Sequence, residues 1–375
     1  MRVLMINRAS ARQVSGGDVI QLNKTRAALL TLGVDVDVRL TDELDGSWNY
    51  DLVHIFNIQS PVESWQTCQL VKSKGLPVAL SPIYWNLTES WYWTNHPNLK
   101  SVWRVLRTLS GKWGYPVYLR WQRLRSQASE AWRIQRQLLL TADVVLPNSY
   151  IEATQINKDF GFKKDAVNFV VIPNAIDRYL FENMSPPSAG LKALLNNVEG
   201  FVLQVGRLSP EKNCLALIDA LWGTDVSIVF VGQASPYAPE YAEKCRQRGH
   251  QRGNVYFLDW APHDQLPGIY SLAVVHALPS WRETPGLASL EAAAAGCRIV
   301  STSIGSAREY FGNDVWYCHP ADRNSIRRAV LLALAGKPST QLRQRVLDNY
   351  TWDKAAEATL AAYCSILKCQ GAGSA

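Results

Sequence analysis

Apolar positions along this chain come in short unbroken runs, each followed by a stretch of helical spacing. Residues 3–6 (VLMI) form the first run; a loop with Ser15-Gly16-Gly17, a helical stretch to Leu32-Gly33 and the alternating residues 34–38 follow. Buried strands of a parallel sheet read this way, because helices cover both of their faces. The rhythm continues through DLVHIF (51–56), LPVALS (76–81) and ADVVLPNS (142–149). It breaks at VVIPNAID (170–177) and MSPPSAG (184–190), where prolines and small residues mark a boundary. It restarts at GFVLQVGRL (200–208), VSIVFVG (226–232), VYFLDW (255–260) and AVVHALPS (273–280), with helices near residues 214–221 and Tyr241. The pattern predicts two doubly wound, Rossmann-like α/β domains, with a ligand cleft outside the carboxyl ends of their strands.

Length agrees: 375 residues exceed the ~250–300 over which one core usually grows. With 47% hydrophobic and 19% charged residues the chain can fill both cores, which excludes disorder. Seven cysteines, scattered and never spaced C-x-x-C, predict neither a disulfide framework nor a zinc site. MRVLMIN meets Arg8 too early for a signal peptide, and no run of ~18 apolar residues is free of charge. The expected location is therefore the cytoplasm.

The formal charge of +7 is concentrated in one place. Residues 98–137 carry nine Lys or Arg against Glu130 alone, a balance of +8 that leaves −1 for the rest of the chain. Half of the 14 tryptophans lie between Tyr84 and Trp132. After Pro116, Val117, Trp121, Leu124, Ala128, Ala131 and Leu138 recur at helical spacing, with Arg120, Arg123, Arg133 and Arg136 largely off that line. Three readings stay open: a core helix with a solvated basic face, a peripheral contact of 98–137 with an anionic membrane at its inner face, or a surface for an anionic acceptor.

Candidate chemistry gathers in SWRETPGLASLEAAAAGCRIVST (280–302). Pro285-Gly286 reads as a helix start before LASLEAAAAG. The unpaired amides near Gly286 and Leu287 then suit a phosphate, while Glu283 reaches sugar hydroxyls and Glu291 accepts from ribose hydroxyls. Asp35-Val36-Asp37 imitates a D-x-D metal motif, but period-2 polarity in the alternating VDVDV accounts for it, and no metal is expected.

Two glutamates separated by seven residues, with Pro285-Gly286-Leu287 between them, resemble the pattern of glycosyltransferase family 4. VGRLSPEKN (205–213) resembles that family's phosphate clamp, VIPNAID its interdomain linker, FLDWAPHDQLPGIY (257–270) its base-binding loop and following helix, and TSIGSAREYF (302–311) its post-motif loop. The resemblance spans roughly residues 140–355. It implies a GT-B fold: an acceptor domain over 1–174, a donor domain over 175–353, and a terminal segment 354–375 returning to the first domain as a helix. It also implies a retaining, metal-independent hexosyltransferase that takes a nucleotide-diphosphate sugar as co-substrate and needs no cofactor. Gly206, Arg207 and Lys212 would meet the diphosphate, with Pro285, Gly286, Leu287 and Glu291 completing the donor site. Glu283, Arg207 and Lys212 would carry the chemistry. In the amino-terminal half, Gly16-Gly17 resembles the family's glycine loop, followed by Asp18 where an apolar residue is commoner. DLVHIFN resembles its D-x-V-H strand end, which would face His54 to the cleft as a fourth catalytic candidate, orienting the acceptor or the sugar.

The acceptor class stays open among glycans, lipid-linked sugars and small molecules. A GT-B nucleotide-sugar epimerase would not be expected to carry this glutamate pair beside GRL-x-x-EK. A non-catalytic carbohydrate or nucleic-acid binder would not need the donor clamp, so nucleic acid is not an expected partner. A nicotinamide-dependent Rossmann enzyme is disfavoured because the first βα turn, RASARQVSGGD, lacks G-x-G-x-x-G.

Overall fold

The structure, a computed structural model, describes residues 1–13, 16–44, 48–93, 101–184, 186–187, 189–195, 198 and 200–371. Ser15, Lys100, parts of the 184–190 boundary segment and the end of the 354–375 segment lie outside these residues, as does the side chain of Lys112. The chain divides into two compact units, Met1–Asn174 with Trp352–Ala375, and Ala175–Thr351.

The first unit runs β1 (Arg2–Asn7), α1 (Gly17–Thr31), β2 (Asp35–Leu40), β3 (Leu52–Phe56), α2 (Pro61–Ser73) and β4 (Val78–Ser81). It continues with α3 (Thr88–Trp93), α4 (Ser101–Ser110), α5 (Tyr115–Gln127), α6 (Glu130–Thr141), β5 (Val144–Val145) and α7 (Tyr150–Phe160). The strands form one parallel sheet, ordered β2-β1-β3-β4-β5. Unbroken apolar runs make the central strands: Leu4, Ile6, Val53, Ile55, Val78 and Leu80 pack with Ile156 and Phe160 of α7. At the edge, β2 alternates instead. Its Asp35 and Asp37 both pair with Arg2, and Tyr50 donates to Asp37 at 2.9 Å, so the D-x-D spacing serves the sheet edge.

Three sequence expectations are corrected in this unit. The strand expected over 142–149 shrinks to two residues, because Pro147 lacks an amide and Ser149 turns out to cap α7, accepting from the Glu152 amide at 2.9 Å. The helical stretch after Pro116 is two helices broken at Ala128-Ser129, with Ser129 capping α6. Its buried line is also a different one. Tyr118 is enclosed with Tyr92 and Trp103, whereas Val117 and Leu124 face solvent.

The third correction concerns His54, expected at a strand end facing a cleft. It sits in the middle of β3, enclosed, with Nδ1 2.6 Å from Tyr363 Oη and Nε2 2.9 Å from Ser81 Oγ. Both ring nitrogens are taken and the ring stacks on Phe56 at 4.1 Å, so this imidazole is a core residue without a face for a ligand. Burial lowers its pKa from 6.5 to about 3, which keeps it neutral.

The second unit opens with α8 (Arg178–Glu182) and α9 (Ala189–Leu194). Then come β6 (Phe201–Val205), α10 (Cys214–Ala220), β7 (Ile228–Val231), α11 (Pro239–Arg252), β8 (Val255–Leu258), α12 (Leu266–Leu272) and β9 (Ala273–Leu278). It closes with α13 (Leu287–Ala294), β10 (Arg298–Thr302), α14 (Ala307–Phe311), β11 (Trp316–Cys318), α15 (Arg323–Ala335) and α16 (Thr340–Asn349). Its six strands are again parallel, ordered β11-β10-β9-β6-β7-β8. Apolar cores lie on both faces of the sheet. A final helix, α17 (Trp352–Gly371), begins two residues before the expected segment 354–375 and belongs to the first unit, where it packs on α1.

At the ends of β6 and β7 two backbones nearly touch. A Cβ on Gly232, whose φ is +150°, would fall inside the contact distance of the Gly206 carbonyl. Gly232→Ala is expected to destabilise the second unit by about 2 kcal/mol or more, read as a lowered denaturation midpoint; an unshifted midpoint would show that the two turns are not locked together.

The neutral His54 fixes a second expectation. Its folded-state pKa lies below the unfolded value, so the contribution to stability is complete above pH 6.5 and is lost as pH falls from there toward 3. Unfolding free energy should decline by about 1.4 kcal/mol per pH unit for this group below pH 6. Urea titrations across that range should show a shallower decline in His54→Gln; an identical slope would mean that His54 is already protonated in the folded chain.

Candidate functional site

In the order β11-β10-β9-β6-β7-β8, the chain leaves β6 toward β7 and returns on the other side of β6 as β9. Loops leaving the carboxyl ends of β6 and β9 therefore diverge and open a crevice, the place where an open α/β sheet takes a ligand. The β6 loop carries Gly206, Arg207 and Lys212; the β9 loop carries Glu283, Pro285 and Gly286 and runs into α13 at Leu287. Sequence residues far apart are thus brought to one edge of the second unit.

Local chemistry holds the two loops together. Gly206 takes φ +139° as β6 ends, and residues 210–212 form a single 3-10 turn stopped by Asn213 in the left-handed region, φ +60°. The Asn213 side-chain amide donates to the carbonyls of Pro279 at 3.1 Å and Pro320 at 2.9 Å. The Trp281 amide donates to the Glu211 carbonyl at 2.9 Å, and the Gln204 side chain to the Lys212 carbonyl at 2.8 Å. These bonds deliver Lys212 Nζ to within 2.6 Å of Glu283 Oε1.

Glu283 is 2% exposed and Lys212 29%, so the carboxylate is enclosed while the ammonium keeps an open side. An ammonium has three protons, and this bond uses one of them. Loop 302–306 braces the acid from behind: the Ser306 amide donates to the Glu283 carbonyl at 2.8 Å, and a Cβ on Gly305 would overlap that carbonyl. In front, Gly286 at φ +92° lies so near that a Cβ there would come within 2.9 Å of Glu283 Oε2. Only glycine fits both places.

Gly286 is also the residue before α13. It caps with no side chain, and the amides of Leu287 and Ala288 meet no backbone carbonyl among the described residues. They form a ready anion site at the positive end of the helix dipole. Arg207 is half-buried and makes no ion pair among the described residues. Beneath, His276 of β9 is fully buried; burial, and next the nearby Lys212 charge, lower its pKa to about 3 and leave Lys212 as the cation there.

One turn into α13, Glu291 is held on both oxygens, by His263 Nε2 at 2.9 Å and by the Tyr270 hydroxyl at 3.0 Å. Burial first, and then the Glu291 charge, raise the Tyr270 pKa well above 10, so the phenol stays a donor. Of the first-unit candidates, Gly16 caps α1 in extended conformation and Gly17 is exposed, with open space where a Cβ would go. Asp18, buried beside them, pairs with Arg8 at 2.9 Å. His54 is enclosed as described above. Sequence reasoning did not single out Asn213, Gly232, Gly305, His263 or Tyr270; the glycines at the ends of VSIVFVG and in TSIGS were the visible signal.

Comparison with known proteins converges on these elements. Residues 192–350 match the family model described as glycosyl transferases group 1. The D-inositol 3-phosphate glycosyltransferase of Segniliparus rotundus is 25% identical over 62% of this chain and 54% of its own length. The glycogen synthase of Mycobacterium tuberculosis is 31% identical over 43% of this chain and 42% of its own length. The chain spans about half the length of the curated relatives it matches. Among solved structures, sucrose-phosphate synthase from Thermosynechococcus elongatus superposes with a TM-score of 0.75 at 19% identity, covering 98% of this chain and 100% of that one. Anabaena HepE in complex with UDP-glucose superposes at 0.62 and 16% identity over the whole of both chains. Residues 192–350 thus resemble the group 1 glycosyl transferases, and the chain's pair of parallel-sheet units is the GT-B fold.

Proposed function

We propose that this chain transfers a hexosyl group from a nucleoside diphosphate sugar held on the second unit, with retention of anomeric configuration and without a metal. The observation that carries the reading is the Lys212–Glu283 pair, 2.6 Å apart, next to a helix start whose first amides are open. Breaking an anomeric C–O bond develops negative charge on the departing diphosphate. Arg207, the outward protons of Lys212 and the Leu287 and Ala288 amides are all donors to such charge. Glu283 orients the ammonium and reaches the sugar, and Glu291, steadied by His263 and Tyr270, accepts from the ribose. Two side-chain cations take the part that a divalent ion plays in other phosphate chemistry. Retention follows if the acceptor attacks the same face from which the diphosphate leaves, within a short-lived oxocarbenium-like ion pair. The first unit would supply the acceptor, a glycan, a lipid-linked sugar or a small molecule. The UDP and UDP-glucose held by HepE recommend UDP sugars as the first donors to test.

A thermal-shift screen against UDP, GDP, ADP and CDP sugars identifies the donor, since a ligand at 100 times its Kd adds about 2.7 kcal/mol of stability. No shift with any nucleotide sugar would count against the site. With donor and acceptor in hand, Arg207→Ala and Lys212→Ala are each expected to lower kcat/KM by roughly ten- to a hundredfold, the worth of one charge-assisted hydrogen bond. Glu283→Ala should abolish transfer while the melting curve stays cooperative; normal turnover would remove Glu283 from the mechanism. Turnover should survive excess chelator, and proton NMR of the product should show the donor's anomeric configuration. Inversion, or loss of activity to chelator restored by a divalent ion, would each overturn its part of the proposal.

A further inference from the structure

Helix α4 carries its apolar stripe outward. Val102, Val105, Leu106 and Leu109 recur at the spacing of one helical face, and all four are exposed, Leu109 by 79%. Trp113, in the single turn that follows, is 80% exposed, and Val117 and Leu124 of α5 are exposed as well. The helix is anchored from its other side. Trp103 packs edge-on against Tyr118 with ring centres 5.4 Å apart, and Arg107 donates to the Tyr92 carbonyl at 2.5 Å. An amphipathic helix in a globular unit normally turns its stripe to the core. Here the core side is filled by Tyr92, Trp103 and Tyr118, and the aliphatic stripe faces outward.

Along α5 and α6 the charged side chains are arginines but for Glu130. Arg120, Arg123, Arg125 and Arg133 are exposed and pair with no carboxylate among the described residues; Arg123 reaches only the Lys158 carbonyl, and Arg125 lies over the Trp121 ring. Three occupants fit an exposed apolar surface, and this composition separates them. A second copy of the chain across a two-fold axis would set these arginines against themselves. Single-stranded nucleic acid needs exposed rings for base stacking, yet the segment's rings are mostly spent on their own cluster, and what it exposes is Val and Leu. An anionic bilayer takes both parts, aliphatic side chains below the headgroups with a tryptophan at their level, and arginines on the lipid phosphates.

We infer that α4, Trp113 and the outer face of α5 dock the first unit on anionic lipid, with Val102, Val105, Leu106, Leu109 and Trp113 entering the interface. Among the described residues no helix is long and apolar enough to cross a membrane, so the contact is peripheral. The inference is independent of the transfer reaction and is tested without a donor.

The full chain is sedimented with vesicles of pure phosphatidylcholine and of equal parts phosphatidylcholine and phosphatidylglycerol, and the emission of Trp113 is read as the difference between the chain and its Trp113→Ser variant. Binding to the anionic vesicles, a blue shift, and at least tenfold weaker partition onto pure phosphatidylcholine are expected. Leu109→Asp with Trp113→Ser should lower the anionic partition by at least tenfold. Arg120→Gln with Arg123→Gln should lower it about twenty-fivefold, since each cation near the leaflet is worth about fivefold. All four side chains are exposed, and circular dichroism verifies each fold; should one pair misfold, the other decides. Equal binding to both vesicles, or unaltered binding by the correctly folded variants, overturns the inference. So does displacement from vesicles by an RNA oligonucleotide that binds the Leu109→Asp, Trp113→Ser chain equally well, or a dimer of the free chain that those substitutions break.

Discussion

Everything at the crevice of the second unit depends on keeping the Glu283 carboxylate out of water while holding it against Lys212. A carboxylate so enclosed costs several kcal/mol unless a partner of good geometry answers it, and the 2.6 Å bond from Nζ is that answer. The neighbouring sequence reads as a set of conditions for this contact. Asn213 must adopt a left-handed backbone to turn Lys212 inward, Gly286 must lack a side chain to leave room for Oε2, and Gly305 must lack one to let loop 302–306 close behind the carbonyl. Gly232 does the same one layer below, under Gly206. Glycines that look like ordinary loop residues in the sequence are a mould around one ion pair.

The constellation at this crevice was legible because it is local. Two glutamates with seven residues between them, a Pro-Gly before an apolar helix, and GRL-x-x-EK each declare a turn or a helix start, and parallel-sheet topology places them at one edge without further information. What the sequence concealed was set by partners distant in the chain. Nothing near His54 signals that Tyr363 and Ser81 will occupy its two nitrogens, so a strand histidine looked available when it is a core residue. Glu291 gave no sign of its support from His263 and Tyr270, because those bonds form across two different helical segments.

Between β4 and β5 the opposite error arose. Periodicity marks which side chains share a face, but not whether that face looks in or out. Val117 and Leu124 share a face and are solvent-facing, while Tyr118 and Trp103, off that line, fill the interior. Aromatic rings won the interior because each removes far more surface from water than a valine does, and edge-on packing adds to that. Charge concentration in the same segment, visible from composition alone, then distinguishes an uncovered apolar face that is a defect from one that has a use.

The first unit is assembled from two separate stretches of the chain, one on either side of the second unit. Helix α17 packs on α1, and its Tyr363 hydroxyl closes onto His54 of β3, more than three hundred residues earlier in the chain. The second unit, by contrast, is one uninterrupted stretch. During synthesis the ribosome has therefore released every residue of the second unit before the last piece of the first emerges. The amino-terminal sheet, begun first, is the one finished last, and until then the face of α1 that receives α17 stays open to water.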